Sequence, residues 1–150
     1  MRENVKICTA EDVPALAAVE NACFSRPLSE GQIRSLIQSE NTVFLGTREG
    51  ERLVGSVWVQ TVLDEGYIGN VAVLPECRRR GFADGLLRAL DELARDRGLR
   101  FLTLEVRAGN TPAIRLYEKN GYLRAGFRPG YYSAPKEDAV LMTKEFEHDE

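Results

Sequence analysis

The chain has one histidine and three cysteines in 150 residues, and that scarcity removes several chemistries at once. The histidine, His148, lies in the terminal EFEHDE tail, so neither a histidine-based catalytic triad nor a histidine-rich metal site is expected. No metal is called for. Cys8, Cys23 and Cys77 are odd in number and widely spaced, which suits a reducing cytoplasm better than a disulfide framework. Arginines beside Cys77 favour a lowered thiol pKa, but no base follows it closely, and a bystander thiol is the simpler reading. No apolar stretch approaches the roughly 20 residues of a membrane helix. The N-terminal MRENVKICTAEDVPAL lacks the apolar run of a secretory signal, so a cytoplasmic protein is expected, with no membrane contact. A net charge of -3 gives no reason to expect direct nucleic-acid binding and leaves a basic peptide open as partner.

What is present is ordinary for a soluble domain, with 43% hydrophobic and 29% charged residues. The length suits one domain spanning residues 1–150. Thr9 with Asp12, and Ser29 with Gln32, mark two helix starts, the first followed by Leu16 and Val19, the second by Ile33, Leu36 and Ile37. CFSRPLS connects them. The period then becomes extended over 42–47, 53–62 and 67–73, with polar turns between, which reads as an antiparallel meander. The strongest helical stripe is Leu86, Leu87, Leu90, Leu93 and Ala94, opposed by Arg88, Asp91, Glu92, Arg95 and Asp96 and closed by Gly98. A strand over 101–106 comes next. Asn110 or Thr111 then caps a short helix containing Pro112, Ile114, Leu116 and Tyr117 and stopping at Gly121. Residues 139–143 form a last strand, with further strands expected at 6–9 and near Tyr122. The order predicts an α/β chain of the α+β type, with a mixed, mostly antiparallel sheet flanked by helices on both faces.

The densest information lies in 67–87, YIGNVAVLPECRRRGFADGLL. A strand runs into a basic, glycine-containing loop that opens directly into a helix. Gly81 and the small Ala83 allow close approach of a ligand to backbone. The first helical turn leaves N–H groups unpaired at the positive end of the macrodipole, and Arg78, Arg79 and Arg80 add charge suited to a phosphate or pyrophosphate. Neither G-x-x-x-x-G-K-[ST] nor G-x-G-x-x-G is present.

What remains, Arg78-x-x-Gly81-x-Ala83, resembles the acetyl-CoA motif of the GNAT superfamily of N-acetyltransferases, and the order of elements is similar to that fold. LEVRAGN (104–110), NTPAIRLYEKNGY (110–122) and YYSAPKEDAVLM (131–142) resemble strings of the RimI group, N-terminal acetyltransferases that modify a ribosomal protein. The resemblance implies acetyl-CoA as co-substrate, held by main-chain groups of residues 79–84 (Arg79, Arg80, Gly81, Phe82, Ala83, Asp84) with Arg78, by the strand amides of Val71, Ala72 and Val73, and by Asn110. It implies a protein N-terminus as substrate, the alanine of a small-subunit ribosomal protein, and a monomer or weak homodimer is expected. Leu28 departs from the tryptophan often found after the preceding proline, in the connector that forms part of the peptide cleft in related enzymes.

Direct acetyl transfer to an amine needs a base, a site for oxyanion charge and a proton for the leaving thiolate. Glu105 lies mid-strand on the face of Phe101 and Thr103, opposite Leu102, Leu104 and Val106, which is either a solvated face or a catalytic placement. The resemblance assigns it the general base, acting directly or through a water. An α-amino group is ~3.5 kcal/mol easier to deprotonate than a lysine, so a weak base suffices for an N-terminus. Tyr117, three residues after Ile114, fits core packing equally well; the resemblance assigns it the general acid. Tyr131 and Tyr132 are candidate walls of a peptide groove, and Glu137 or Asp138 candidate attractors of its amine, although a solvated surface role fits either acid. Two other readings share most of these features: acetylation of a lysine, polyamine or other small amine, and a non-catalytic CoA-binding module.

Overall fold

The computed structural model describes residues 4–147; His148 lies outside them. A seven-stranded sheet of order β1-β2-β3-β4-β5-β7-β6 is built from β1 (Val5–Ile7), β2 (Thr42–Glu49), β3 (Arg52–Val62), β4 (Glu65–Val73), β5 (Phe101–Arg107), β6 (Leu123–Ser133) and β7 (Lys136–Glu145). Every pairing is antiparallel except β4 with β5. The α-helices are α1 (Val13–Cys23), α2 (Glu30–Gln38), α3 (Phe82–Asp96) and α4 (Thr111–Lys119). The mixed sheet flanked by helices is the architecture the element order predicts. None of the described helices is long and apolar enough to cross a membrane.

Local chemistry sets the helix ends. The Ser29 hydroxyl accepts from the Gln32 N–H at 3.1 Å, and the Gln32 side chain accepts in return from the Ser29 N–H at 2.9 Å, a reciprocal box closing the start of α2. At the first start the Thr9 N–H donates to the Asp12 carboxylate at 2.8 Å, and one 3-10 turn (Ala10–Asp12) precedes α1. Gly98, at φ 67°, ends α3 in the left-handed conformation a side chain resists. The core joins Leu86, Leu90 and Ala94 of α3 to Leu45, Val54 and Val57 of the sheet, all of them fully buried.

Two features of the sheet open a gap at its centre. Val57 pairs with Val71 and Val59 with Ile68, so Gly69 and Asn70 together oppose Trp58 in a β-bulge. A Cβ on Gly69 would stand 2.0 Å from the Trp58 ring, so only glycine lets the indole lie across the bulge. Meanwhile β4 pairs with β5 only from Glu65 to Tyr67. Beyond Tyr67 and Thr103 the two strands part.

The last third departs most from expectation. Residues 123–133 form one long edge strand, where the sequence predicts only a strand near Tyr122. Its register breaks between Arg124 and Gly126 and again between Arg128 and Tyr132, which absorbs Ala125 in the first break and Pro129 and Gly130 in the second. An edge tolerates such residues. Since β6 is almost wholly exposed, no burial alternation marks it in sequence. β1 is likewise shifted, at 5–7 rather than 6–9, with the Cys8 N–H still donating to the Phe44 carbonyl at 2.8 Å.

Replacing Gly69 with Ala forces the Trp58 ring to move. The expected cost is about 1–3 kcal/mol, seen as a melting temperature lower by roughly 2–10 °C; an unchanged melt would show that the bulge does not need the absent side chain.

Candidate active site

The gap between the parted strands opens into two adjoining clefts. One, of about 590 Å³, is lined by Glu105, Arg107, Tyr131 and Tyr132 with Phe24, Ser25 and Arg26 of the α1–α2 connector and Gly69 and Asn70 of the bulge. The other, of about 670 Å³, is lined by Ala72, Val73, Arg78, Arg79, Gly81, Phe82, Ala83 and Asp84 with Pro112 and Leu116. Cys23, Phe24, Val71, Asn110, Ala113 and Tyr117 line both. Tyr117 thus stands at the junction.

The floor of the second cleft is backbone. The Leu74 N–H donates across to the Val54 carbonyl at 2.8 Å, and alternation along an antiparallel strand then points the N–H and C=O of Val71 and Val73 away from β3 and into the gap. The Val73 carbonyl is indeed reached from that side, by Arg78 Nε at 3.0 Å and by Cys23 Sγ at 3.3 Å. Burial first, with Glu20 adding, raises the Cys23 pKa, and contacts with Arg78 only partly offset this. Cys23 is therefore a hydrogen-bonding wall, not a thiolate. Cys77 is buried at the same rim.

The loop before α3 has the geometry of an anion cradle. Arg79 (φ 63°) and Gly81 (φ 86°) are both left-handed, and among the described residues no side chain caps the helix at Gly81, so its first N–H groups face the cleft without a partner there. Arg80 turns away from the cleft to pair with Glu49 and lies over the Phe82 ring at 5.2 Å. Asp84 has a different task from contacting a ligand with its carboxylate, which receives Lys119 at 3.1 Å and Asn120 at 3.0 Å. Burial opposes its charge, but those bonds outweigh it and hold the carboxyl below its usual range. That clamp ties the start of α3 to the end of α4. Asn110 uses its side-chain oxygen to cap α4 through the Ala113 N–H at 3.3 Å, leaving its NH₂ group for the cleft.

On the other side, Glu105 sits on β5 in the alternation expected, half-buried, and pairs with Arg128 Nε of β6 at 3.2 Å. The Tyr117 ring packs edge-on to Tyr122 at 5.9 Å, and among the described residues nothing hydrogen-bonds its hydroxyl. Burial, and then the neighbouring Tyr132, push its pKa up to about 12. It keeps its proton at any ordinary pH. Tyr132 is raised in the same direction, first by burial, then by Tyr131 and Glu105, and Arg107 lies over its ring at 4.3 Å.

Tyr131 and Tyr132 reach the cleft; Glu137 and Asp138 do not. Glu137 accepts from the Gly109 N–H at 2.6 Å and from Arg107 at 3.3 Å, and Asp138 accepts from the Gly130 N–H at 2.7 Å. Both carboxylates brace main-chain amides, one in the loop after β5 and one at a register break of β6, that would otherwise lack acceptors. Three lining residues, Cys23, Phe24 and Asn70, carry no motif. Glu20, which supports Asn70 from behind, did leave a signal: it falls four residues after Leu16 and seven after Val13, a carboxylate on an apolar stripe.

Comparison with known proteins shows the family and the fold. The ribosomal protein bS18-alanine N-acetyltransferase of Salmonella typhimurium is 36% identical over 140 residues, covering 92% of this chain and 94% of that protein. Its Escherichia coli K12 counterpart is 36% identical over 133 residues, covering 87% and 89%. The crystal structure of the Escherichia coli enzyme superposes with a TM-score of 0.90 over 97% of this chain and 95% of that one, at 32% identity. At 17% identity, an acetyltransferase of Thermoplasma acidophilum solved in complex with coenzyme A shares the fold, with a TM-score of 0.80 over 97% of this chain and 100% of that one. The family model described as the acetyltransferase (GNAT) family matches residues 13–122, and the chain is an N-acetyltransferase of that family.

Proposed function

We propose that the protein transfers an acetyl group from acetyl-CoA to the free α-amino group of a protein N-terminus, the N-terminal alanine of a small-subunit ribosomal protein. The observation that carries this reading is the shared wall. Val71, Asn110 and Tyr117 face both clefts, so a thioester coming from the α3 side and an amine coming from the Glu105 side meet at one place. The extent of the match to bS18-alanine N-acetyltransferases, over nine tenths of one such protein, supports the choice of substrate.

The left-handed turns at Arg79 and Gly81 and the free N–H groups of α3 receive the diphosphate. Acetyl-CoA supplies a thioester carbon open to attack. The amide N–H groups of Val71 and Val73 line the gap where oxyanion charge develops. Glu105 accepts the proton that the attacking amine sheds as the C–N bond forms. The departing sulfur leaves with the electrons of the C–S bond and is met by the Tyr117 hydroxyl. With that phenol near 12 against a thiol near 8.5, complete proton transfer is uphill by ~5 kcal/mol. Tyr117 therefore stabilises the thiolate by a hydrogen bond, and protonation is completed as coenzyme A leaves.

Glu105→Gln is expected to lower kcat/KM for an N-terminal peptide by about 10²–10⁴, measured by release of free thiol. Tyr117→Phe lowers kcat by at least about tenfold; unchanged turnover would remove the tyrosine from the mechanism. Rate climbs with pH through the amine's own titration near 8 and shows no downturn below about pH 10 from Tyr117, which stays protonated there.

Substrate class is tested by pairing a peptide that begins with free alanine and carries arginine nearby against its N-blocked, lysine-containing version. Only the first is expected to release thiol. Equal reaction of both would move the assignment to lysine.

A further inference from the structure

Glu20 is a carboxylate that the chemistry above does not use, and it is 2% exposed. It lies in the last turns of α1, at the negative end of the helix dipole, where an anion is disfavoured. Among the described residues no cation pairs with it. Its partners are neutral: the Leu28 N–H donates to Oε1 at 3.0 Å, and the Asn70 side-chain NH₂ lies 3.0 Å from Oε1 and 3.2 Å from Oε2. For stability alone an apolar residue would serve better on this stripe. What the carboxylate does accomplish is to join two segments on opposite sides of the junction. Leu28 belongs to the connector whose Phe24 and Arg26 wall the Glu105 cleft, and Asn70 is half of the bulge that turns Val71 into the gap.

We infer that Glu20 is a positioning residue that holds the peptide wall in fixed register with the bulge at which acetyl transfer takes place. The inference rests on the acetyltransfer reading above and adds to it a buried strut, outside both clefts, that sets how the amine is aimed. A carboxylate is suited to this because both of its oxygens only accept: Oε1 takes the Leu28 N–H and the Asn70 NH₂ together while Oε2 takes the Asn70 NH₂ as well, and an amide would put a second donor where Oε2 stands.

The test compares Glu20→Gln, Asn70→Ala and the double variant Glu20→Gln with Asn70→Asp. In the first, two NH₂ groups face each other. In the double variant the amide introduced at position 20 donates its NH₂ to the carboxylate introduced at position 70, while its oxygen still accepts from the Leu28 N–H. Expected for Glu20→Gln is a rise of roughly tenfold or more in the peptide KM, the scale of one charge-assisted hydrogen bond. Coenzyme A affinity stays within about twofold, and hydrogen exchange at the Leu28 amide quickens by about tenfold. The double variant restores KM and exchange to within about threefold of the parent. Should Glu20→Gln not fold, Asn70→Ala carries the same KM readout with the Leu28 contact intact. Peptide KM and Leu28 exchange unchanged in Glu20→Gln would overturn the inference. So would a parallel loss of peptide and coenzyme A binding that the double variant fails to rescue, since that is the behaviour of a packing residue. If the parent protein turns over no N-terminal peptide, the proposed function fails instead, and Leu28 exchange with its recovery in the double variant decides the role of Glu20 alone.

Discussion

The parting of β4 from β5 is the constraint on which the functional half of this molecule depends. A parallel pair held by only three residues at one end, Glu65 to Tyr67, leaves the rest of each strand with backbone groups that must find other partners. β5 stays held through its other edge, paired with β7 along the whole length from Phe101 to Arg107. On β4 the groups so freed point into a cleft. The bulge at Gly69 and Asn70 fixes this divergence, because two residues set against Trp58 bend the strand away from its neighbour.

Around the opening, polar side chains act mainly as braces. Asp84 ties α3 to α4, Glu137 ties the loop after β5 to the last hairpin, Asp138 holds the register break of β6 at Gly130, and Glu20 joins the connector to the bulge. Each places a carboxylate where main-chain or amide donors would otherwise go unmet, the circumstance in which a hydrogen bond matters most. The side chains proposed to face the reacting groups are few by comparison, chiefly Glu105, Tyr117 and Asn110. On the proposed diphosphate side most of the donors are main chain.

This division between local and distant contacts decides which parts of the molecule are legible in its sequence. Periodicity exposes α3 and β5 because one face of each meets the core, and capping residues mark α2 and α4 because their hydrogen bonds are local. Gly81 announces its turn through its own residue type. The bulge does not, since it arises from Trp58 on a different strand lying over Gly69. Nor does β6, whose exposed residues carry no alternation. Glu137 and Asp138 read as attractors of an amine because charge in a sequence shows its sign but not its partner, and the partners here are amides of Gly109 and Gly130. The same holds for Arg80, one of three adjacent arginines, which is taken by Glu49.

The edge position of β6 has a mechanical consequence. This strand pairs with β7 alone, and its register is already interrupted twice, so loosening it breaks one ladder and leaves the central sheet whole. Tyr131 and Tyr132 ride on that strand. Under the proposed function, the wall of the Glu105 cleft that carries these tyrosines is the one able to yield to an entering polypeptide end, while β4 on the opposite side stays paired with β3.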